Sequence, residues 1–281
     1  MSRVNRVQKP NKVDVDKIKF QEPKILDNGG KMVFISYQDS TLCVQTPVMT
    51  MPWAMKKDVY DGVTKYSLDL QFKDMESNPK LEQFHDFLGR FDEKMIESGV
   101  KNSMAWFKKS SMKREICEEL VSKQVIHSKD KDTGEPDGKW PDRFKAKLAL
   151  NKDGTFKTKV FDSDMNRIPD DQFEELLVKG CEVKALLENS GIWLAGSKFG
   201  CGWRVDTLVI TKKANNVGYA FIDSDEEDGG VSSDVDIVEV NEKASSNFIE
   251  DSDSDIDVSE ESEPEVVPEP VVKKKRTKKS A

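Results

Sequence analysis

Residues 189–213 decide the fold, and they read Asn-Ser-Gly-Ile-Trp-Leu-Ala-Gly-Ser-Lys-Phe-Gly-Cys-Gly-Trp-Arg-Val-Asp-Thr-Leu-Val-Ile-Thr-Lys-Lys. The alternation of side chains that starts at Trp203 places Trp203, Val205 and Val209 on one face of a strand and Arg204 on the other. A turn at Gly196 joins this strand to the apolar residues before it. The stretch therefore predicts a β-hairpin, with strands over 192–195 and 203–211.

Aromatic rings in this hairpin stand beside glycines and cations, which is typical of surfaces that stack on unpaired bases. Trp193, Phe199 and Trp203 supply the rings, while Lys198 and Arg204 supply charges that can meet phosphates. A hairpin whose tryptophans fill a hydrophobic core explains the same residues equally well. Both interpretations stay open at the level of this stretch.

Charge is distributed unevenly along the 281 residues, whose net charge is −8. Of the 52 acidic residues, 19 lie in residues 222–272, where Lys243 is the only cation, and the last nine residues carry six cations. Residues 1–221 hold 37 cations and 33 acids, so the body of the chain is mildly basic. Partners should be inferred from this body, because a solvated acidic tail can move away from it.

Cysteine and histidine usage argues against a zinc site and against histidine-based catalysis. Cys43, Cys117, Cys181 and Cys201 form no C-x-x-C pair, and the only histidines are His85 and His127. The sequence also lacks phosphate-loop, metalloprotease and serine-hydrolase motifs. We therefore expect a protein that is not an enzyme and has no metal or cofactor.

Composition divides the chain into segments. The acidic segment, residues 222–272, is too charged to bury and is expected to be disordered. No apolar run in the sequence is long enough to span a membrane. We therefore expect an intracellular protein without a membrane partner. The segments are a flexible basic arm (1–12), a body (13–221) with a helical insertion at about 78–126, a disordered acidic tail (222–272) and a basic C-terminal motif (273–281).

Residues 144–161 predict a second hairpin, closed by a turn at residues 151–154. Alternation places Lys145 and Lys147 on one face of its first strand and Lys157 and Lys159 on one face of its second. A lysine-rich face can be simply solvated, but the predicted hairpin alternates no acidic residue with these four lysines, and like charges on one face repel one another. The pattern favours a surface that meets phosphates.

Two further tryptophans lie in polar surroundings. Trp140 stands in a loop beside Arg143, a context unsuited to a simple core tryptophan, and Trp53 is followed by Lys56 and Lys57. The full set of expected nucleic-acid contacts is Trp193, Lys198, Phe199, Trp203, Arg204, Lys145, Lys147, Lys157, Lys159, Trp140, Arg143 and Trp53.

The fold class follows from the short strands, most of which are linked by hairpins. This arrangement favours a mainly β (α+β) body in which one antiparallel sheet curls or closes into a barrel, rather than a doubly wound parallel sheet. The helices between residues 78 and 126 interrupt the strands as an insertion.

Two stretches carry a resemblance to a known family. One is residues 17–53, with Lys-Met-Val-Phe-Ile-Ser-Tyr and Pro-Val-Met-Thr-Met-Pro-Trp; the other is residues 183–210, with Gly-Ile-Trp and Phe-Gly-Cys-Gly-Trp. Together with the acidic tail, they resemble the OB-fold single-stranded-DNA-binding proteins of nucleocytoplasmic large DNA viruses. That family is similar in turn to the replicative single-strand-binding proteins of podophages.

The resemblance implies a five-stranded OB-like antiparallel barrel with inserted helices. Such a protein binds single-stranded DNA without sequence preference in viral DNA replication, recombination and repair. The acidic tail would compete with DNA and recruit a polymerase, helicase or primase. The chain departs from the phage relatives because its end is basic and its last aromatic residue is Phe248, which puts aromatic docking to a polymerase in doubt.

Other properties are left open by the same resemblance. The basic end reads as a nuclear-import signal or a basic hook, so the expected location is the host nucleus or a cytoplasmic viral factory, and a homo-oligomer is compatible with the sequence. The alternative function is an acidic-tailed chaperone or scaffold that binds basic proteins such as histones. In that alternative, the affinity would reside in residues 222–272.

Overall fold

The computed structural model describes residues 7–27, 29–60 and 62–214. The acidic tail and the basic C-terminal motif lie outside the described residues, as does the first half of the predicted arm. Its second half belongs to the body, contrary to prediction. Val7–Gln8 pairs in parallel with residues 43–44, and Pro10–Lys12 forms a 3-10 turn, so ladder hydrogen bonds tie this segment to the sheet.

Short strands dominate the described residues, and helices are inserted among them, which confirms the mainly β prediction. The strands are β1 (Val7–Gln8), β2 (Ile18–Phe20), β3 (Lys24–Ile25), β4 (Lys31–Val33), β5 (Ile35–Tyr37), β6 (Cys43–Gln45), β7 (Met49–Thr50), β8 (Lys56–Tyr60), β9 (Val63–Gln71), β10 (Val121–Ser122), β11 (Val125–Ile126), β12 (Arg143–Leu148), β13 (Lys159–Phe161), β14 (Arg167–Ile168), β15 (Glu182–Ala195) and β16 (Lys198–Lys212). The α-helices are α1 (Pro79–Lys101), α2 (Ser103–Phe107), α3 (Arg114–Leu120) and α4 (Phe173–Leu176).

The β15–β16 hairpin is longer than the sequence predicts. Its two strands pair antiparallel from Ala195↔Lys198 at the turn to Glu182↔Lys212 at the open end. Gly196 has a φ of +55°, a conformation that favours glycine, so the turn falls where its residue type permits it. The hairpin prediction is confirmed in this respect.

A bulge changes which residues of β16 face inward. Leu187 pairs with Val205, whereas Leu186 pairs with Thr207, so Asp206 is the extra residue between them. Beyond it, Leu208 and Ile210 are buried and Val209 is only half-buried. The placement of Val209 on the same face as Trp203 and Val205 was wrong, because simple alternation does not anticipate the extra residue.

Five strands pair in a circuit: β15 with β7, β7 with β9, β9 with β12, β12 with β16, and β16 with β15. Two of these links consist of one residue pair each, Thr50↔Gln71 and Lys147↔Arg204. The sheet is therefore strongly curled but is not a continuously hydrogen-bonded closed barrel. An OB-like barrel stays a prediction.

The sheet is mixed, so the prediction of an antiparallel arrangement was wrong. β16 pairs in parallel with β10, β12 and β13, and β1 pairs in parallel with β6. Parallel neighbours need a long crossover connection. Residues 149–197 supply that connection between β12 and β16, with β13, β14, α4 and β15 lying along it.

The predicted lysine hairpin over residues 144–161 does not form as a two-stranded ladder. A single bridge, Leu150↔Phe156, joins its two arms. Beyond that bridge, β13 leaves β12 and pairs with β14 and β16 instead. Lys145 and Lys147 therefore lie on β12, whereas Lys159 lies on β13, which pairs farther along the same edge of β16, and Lys157 precedes β13.

The predicted helical insertion is confirmed by α1, α2 and α3. Asn78 caps α1, where its side-chain oxygen accepts a hydrogen bond from Lys80 N at 3.1 Å, and Pro79 occupies the first helical position. Three phenylalanines at helical spacing, Phe84, Phe87 and Phe91, are fully buried. They pack α1 against the inner face of the sheet.

One carboxyl group is buried in this helix–sheet interface. Asp92 lies on α1, and its Oδ2 accepts a hydrogen bond from Gln124 N at 3.0 Å. Its Oδ1 has no hydrogen-bond partner among the described residues. Burial raises the pKa of Asp92 to about 7, because a charged carboxylate is poorly solvated there.

Asp92→Asn should flatten the pH dependence of stability. The pKa of Asp92 rises from 3.8 to about 7 on folding, so its stabilising contribution is present below about pH 4 and is lost as the pH rises through 7. Linkage sets the loss at about 1.4 kcal/mol of unfolding free energy per pH unit within that window. Urea unfolding at several pH values between about 5 and 8 measures it.

The control for this experiment is Asp86→Asn, because Asp86 is exposed on the same helix. It should leave the slope of the wild-type protein unchanged. Parallel pH profiles for Asp92→Asn and the wild type would show that Asp92 does not titrate in this range.

Candidate nucleic-acid interface

Strand register brings one row of side chains together across five strands. Lys56 on β8 pairs with Ser67 on β9, Ser67 with Lys147 on β12, Lys147 with Arg204 on β16, and Arg204 with Glu188 on β15. Directly paired residues project from the same face of a sheet. Neighbouring strands are about 4.8 Å apart, so the row crosses the outer face of the sheet, with Ser67 buried between the longer side chains.

The neighbouring rows add further charges to the same face. Asp58 pairs with Lys65, Asp69 with Lys145, and Gln71 with Arg143. We call this surface the cationic face, and its basic residues are Lys56, Lys65, Arg143, Lys145, Lys147 and Arg204. Its acidic residues are Asp58, Asp69 and Glu188, so positive charge prevails.

Asp69 organises one end of the cationic face. Its carboxylate is only 2% exposed, and Arg143 Nη1 donates a hydrogen bond to Oδ1 at 2.7 Å. Lys56 Nζ lies 3.3 Å from Oδ2. A buried carboxylate with two cations around it holds both of them in place, since leaving any of the three alone is costly.

Trp53 lies against the two cations that Asp69 holds. The centroid of its ring is 5.3 Å from Lys56 Nζ and 5.4 Å from Arg143 Cζ, which are cation–π distances. The side chain is nevertheless 45% exposed. Trp53 therefore forms an oriented aromatic platform on the cationic face, beside Lys56 as the sequence suggested.

A cleft opens beside the row where Arg204 lies. It has a volume of about 430 Å³, and the cations that line it are Lys157, Lys159, Arg167 and Arg204. Glu188 and Asp206 line it as well. The structure thus brings Lys157 and Lys159 near Arg204 through the β13–β16 pairing, rather than through the predicted hairpin.

Two of the predicted stacking residues belong to the core. Phe199 is fully buried against Trp106 and Phe107, with ring centroids 6.2 and 5.2 Å away. Trp203 is buried against Phe87 and Phe91, at 6.1 and 5.5 Å. Their assignment to base stacking was wrong, because odd-numbered residues of this part of β16 face α1 while even-numbered residues face outward.

Trp193 lies on the outward face of the hairpin and is partly buried there. Its indole lies over Gly200, where an added Cβ would come within 2.6 Å of Cζ2, so glycine is required for this packing. The side chain is half-buried, and Lys198 near the turn is exposed. Trp193 and Arg204 share the outward face of the hairpin, with Gly200 and Gly202 between them.

Trp140 is 74% exposed and stands in the loop that precedes β12. Asp142 anchors the end of this loop, because His85 Nε2 and His127 Nδ1 lie 3.1 and 2.7 Å from its two carboxylate oxygens. No contact of the described residues brings the Trp140 ring to the cationic face. Its role in binding stays a prediction.

Several residues of the interface were missed by sequence reasoning: Lys65, Asp69, Arg167 and Glu188. Nothing in their local sequence marks them, because each is a single charged residue in a strand. Their significance depends on cross-strand neighbours that lie far away along the chain. Asp69 and Lys145, for example, are a register pair across 76 positions.

In residues 7–27, 29–60 and 62–214, no group of three or more His, Cys, Asp or Glu side chains is arranged to hold a metal ion. Over the same ranges, each helix is too short or too polar to cross a bilayer.

Comparisons found no matching protein-family model and no matching curated protein. Among solved structures, the single-stranded DNA-binding protein from bacteriophage Enc34 is 13% identical, with 73% of this chain and 96% of that chain covered and a TM-score of 0.39. Its complex with single-stranded DNA is also 13% identical, covering 69% and 96% with a TM-score of 0.39.

A second similar structure is gp2.5, a single-stranded DNA binding protein encoded by bacteriophage T7. It is 17% identical, with 69% of this chain and 100% of that chain covered and a TM-score of 0.42. Likenesses at these TM-scores do not establish a shared fold. Any functional inference therefore rests on the geometry of the chain itself.

Trp203→Ala should destabilise the fold by roughly 3–5 kcal/mol, because it leaves a cavity beneath α1. Trp140→Ala is the matched control, and it should change the unfolding free energy by less than about 0.5 kcal/mol since its ring is exposed. Urea unfolding of both variants makes the comparison. If Trp203→Ala kept normal stability but lost nucleic-acid binding, the assignment of Trp203 to the core would be wrong and the residue would belong to the binding surface.

Proposed function

We propose that this chain is a single-stranded-DNA-binding protein that binds without sequence preference, and that its role is binding rather than catalysis. The observation that carries the proposal is the Trp53 platform on the cationic face. An exposed indole provides a flat surface for stacking, and every unpaired base has a π-face to stack on it. Lys56 Nζ and Arg143 Cζ lie over the ring within 5.4 Å of its centroid, where the phosphates of a nucleotide stacked on the exposed part of the indole can reach them.

The rest of the cationic face extends this contact into a path. Lys145 and Lys147 lie two residues apart on β12, with Lys145 opposite Asp69, and Arg204 lies opposite Lys147 on the adjacent strand β16. Phosphates along a strand would be met by these cations in turn. Such backbone contacts position a nucleic acid without reading its sequence, which supports binding without preference.

We further propose a viral setting for this activity, in DNA replication, recombination and repair. The acidic tail over residues 222–272 has enough negative charge to compete with DNA for the cationic face. The same tail is a candidate recruitment segment for a polymerase, helicase or primase. The basic residues 273–281 are consistent with a location in the host nucleus or in a viral factory. Assembly into homo-oligomers is compatible with the proposal.

Trp53→Ala should weaken binding of fluorescent oligo(dT) by about 1–3 kcal/mol, the value of one stacked base. Binding of the wild-type chain should also fall as salt rises, with a slope of log K against log salt of about −0.7 for each phosphate contacted. Fluorescence titrations at several salt concentrations measure both quantities. Met104→Ala is the control, because Met104 is an exposed apolar residue on α2 outside the cationic face.

The proposal fails if a chain that ends near residue 221, and still unfolds cooperatively, does not bind oligo(dT). Equal losses for Trp53→Ala and Met104→Ala would leave single-strand binding intact as a function but would move the site away from Trp53.

Removal of residues 222–281 should tighten oligo(dT) binding at low salt, because the competing carboxylates are then absent. The gain should shrink as salt rises, since screening weakens the competition. Titration of the full-length and shortened chains side by side gives the comparison. Unchanged affinity at low salt would rule out competition by the tail.

A further inference from the structure

The cleft beside Arg204 contains an ion pair whose arrangement matters for binding. Arg204 Nη2 and Nε both donate to the same oxygen of Glu188, Oε2, at 2.6 and 3.2 Å. The two residues are direct register partners on β16 and β15. One carboxylate oxygen thus occupies the place that an oxygen of a bound phosphate would take on the guanidinium.

Other cations approach the same space from a different part of the chain. Lys159 lies on β13, which pairs with β16, and Arg167 lies on β14, which pairs with β13. Lys157 and Lys159 are exposed, and the Arg167 side chain is 42% exposed while its Nη2 contacts Asp170 Oδ1 at 3.2 Å. The remaining acid of the cleft, Asp206, accepts a hydrogen bond from Thr207 Oγ1 at 3.0 Å.

We infer that this cleft is a phosphate subsite for the bound strand, in which a backbone phosphate displaces Glu188 from Arg204. The inference rests on the proposed function, and it gives Arg167 and Glu188 definite roles in phosphate binding. Glu188 acts as an internal counter-ion. It holds the Arg204 guanidinium in place in the free protein, and a phosphate of the bound DNA strand replaces it in the complex. The subsite lies where the cationic face continues beyond Lys147.

The physical basis of the exchange is that this ion pair is open to water, since the Arg204 side chain is 42% exposed and the Glu188 side chain is 22% exposed. Pairs of this kind contribute about 0.2–1 kcal/mol in water, so a phosphate oxygen can replace the carboxylate at little cost. Glu188 also keeps one negative charge beside the phosphate after displacement. Binding is therefore weaker, and its salt dependence shallower, than Arg204 alone would produce.

Glu188→Gln in the full-length chain tests this exchange. The amide keeps a hydrogen-bond acceptor for Arg204 but removes the charge, so oligo(dT) should bind roughly two- to fivefold more tightly at low salt. The slope of log K against log salt should become steeper by about 0.7, because one more phosphate is fully neutralised. Glu182→Gln is the matched control, since Glu182 is paired with Lys212 on the same hairpin at 3.4 Å and does not line this cleft.

A double-mutant cycle with Arg204→Gln shows whether the gain passes through Arg204. The exchange predicts that Glu188→Gln tightens binding much less once Arg204 is replaced, because only the repulsion between Glu188 and the phosphate is then left to remove. Tightening of equal size in both backgrounds would mean a general field effect and would overturn the inference. So would an unchanged affinity of the Glu188→Gln single variant.

Arg167→Gln provides an independent arm that does not touch the β15–β16 pair. It should weaken oligo(dT) binding and reduce the salt slope by about 0.7, whereas Lys101→Gln, at the exposed end of α1, should do neither. Equal behaviour of these two variants would remove Arg167 from the subsite. A wild-type chain that does not bind oligo(dT) at all contradicts the proposed function itself, so the two failures can be told apart.

Discussion

The strand β16 must supply both buried aromatic residues and exposed cations, and the rest of the structure depends on their separation onto its two faces. Trp203 and Phe199 face inward and are buried beneath α1 and α2, whereas Lys198 and Arg204 face outward. The two-residue period of a strand makes this separation automatic. One segment thus supplies both the aromatic core that anchors the helices and a cation of the outer surface, while its parallel neighbours β12 and β13 bring their lysines to successive positions along one edge of it.

Helix α1 makes that inner face possible. Its phenylalanines fill the space against Trp203, and with them α1 and the sheet share one hydrophobic core. The cost of this tight packing is the burial of Asp92, whose carboxyl satisfies Gln124 N while its other oxygen lacks a partner among the described residues. The result is a rigid sheet, and its outer side chains are held in register by strand pairing.

On the outer face, carboxylates shape how the cations are presented. Asp69 is buried and holds Lys56 and Arg143 against the Trp53 ring, so the aromatic platform is already oriented in the protein without DNA. Glu188 is more exposed and holds Arg204 through a pair that a phosphate can replace. Burial distinguishes the two roles, because a buried carboxylate is costly to leave unpaired and an exposed one can exchange its partner for water.

The sequence by itself determined the features that depend on local pattern: the mainly β class, the β15–β16 hairpin, the helical insertion and the basic character of the body. It marked Arg143, Lys145, Lys147 and Arg204 as cations of interest, yet it could not say that they share a face with Trp53. Only the tertiary structure decided that Phe199 and Trp203 are core, that Lys157 and Lys159 reach the surface through β13, and that Asp69 and Glu188 belong to the site. The reason is physical: periodicity assigns each residue to a face of its own strand, whereas register, bulges and parallel pairing decide which faces meet.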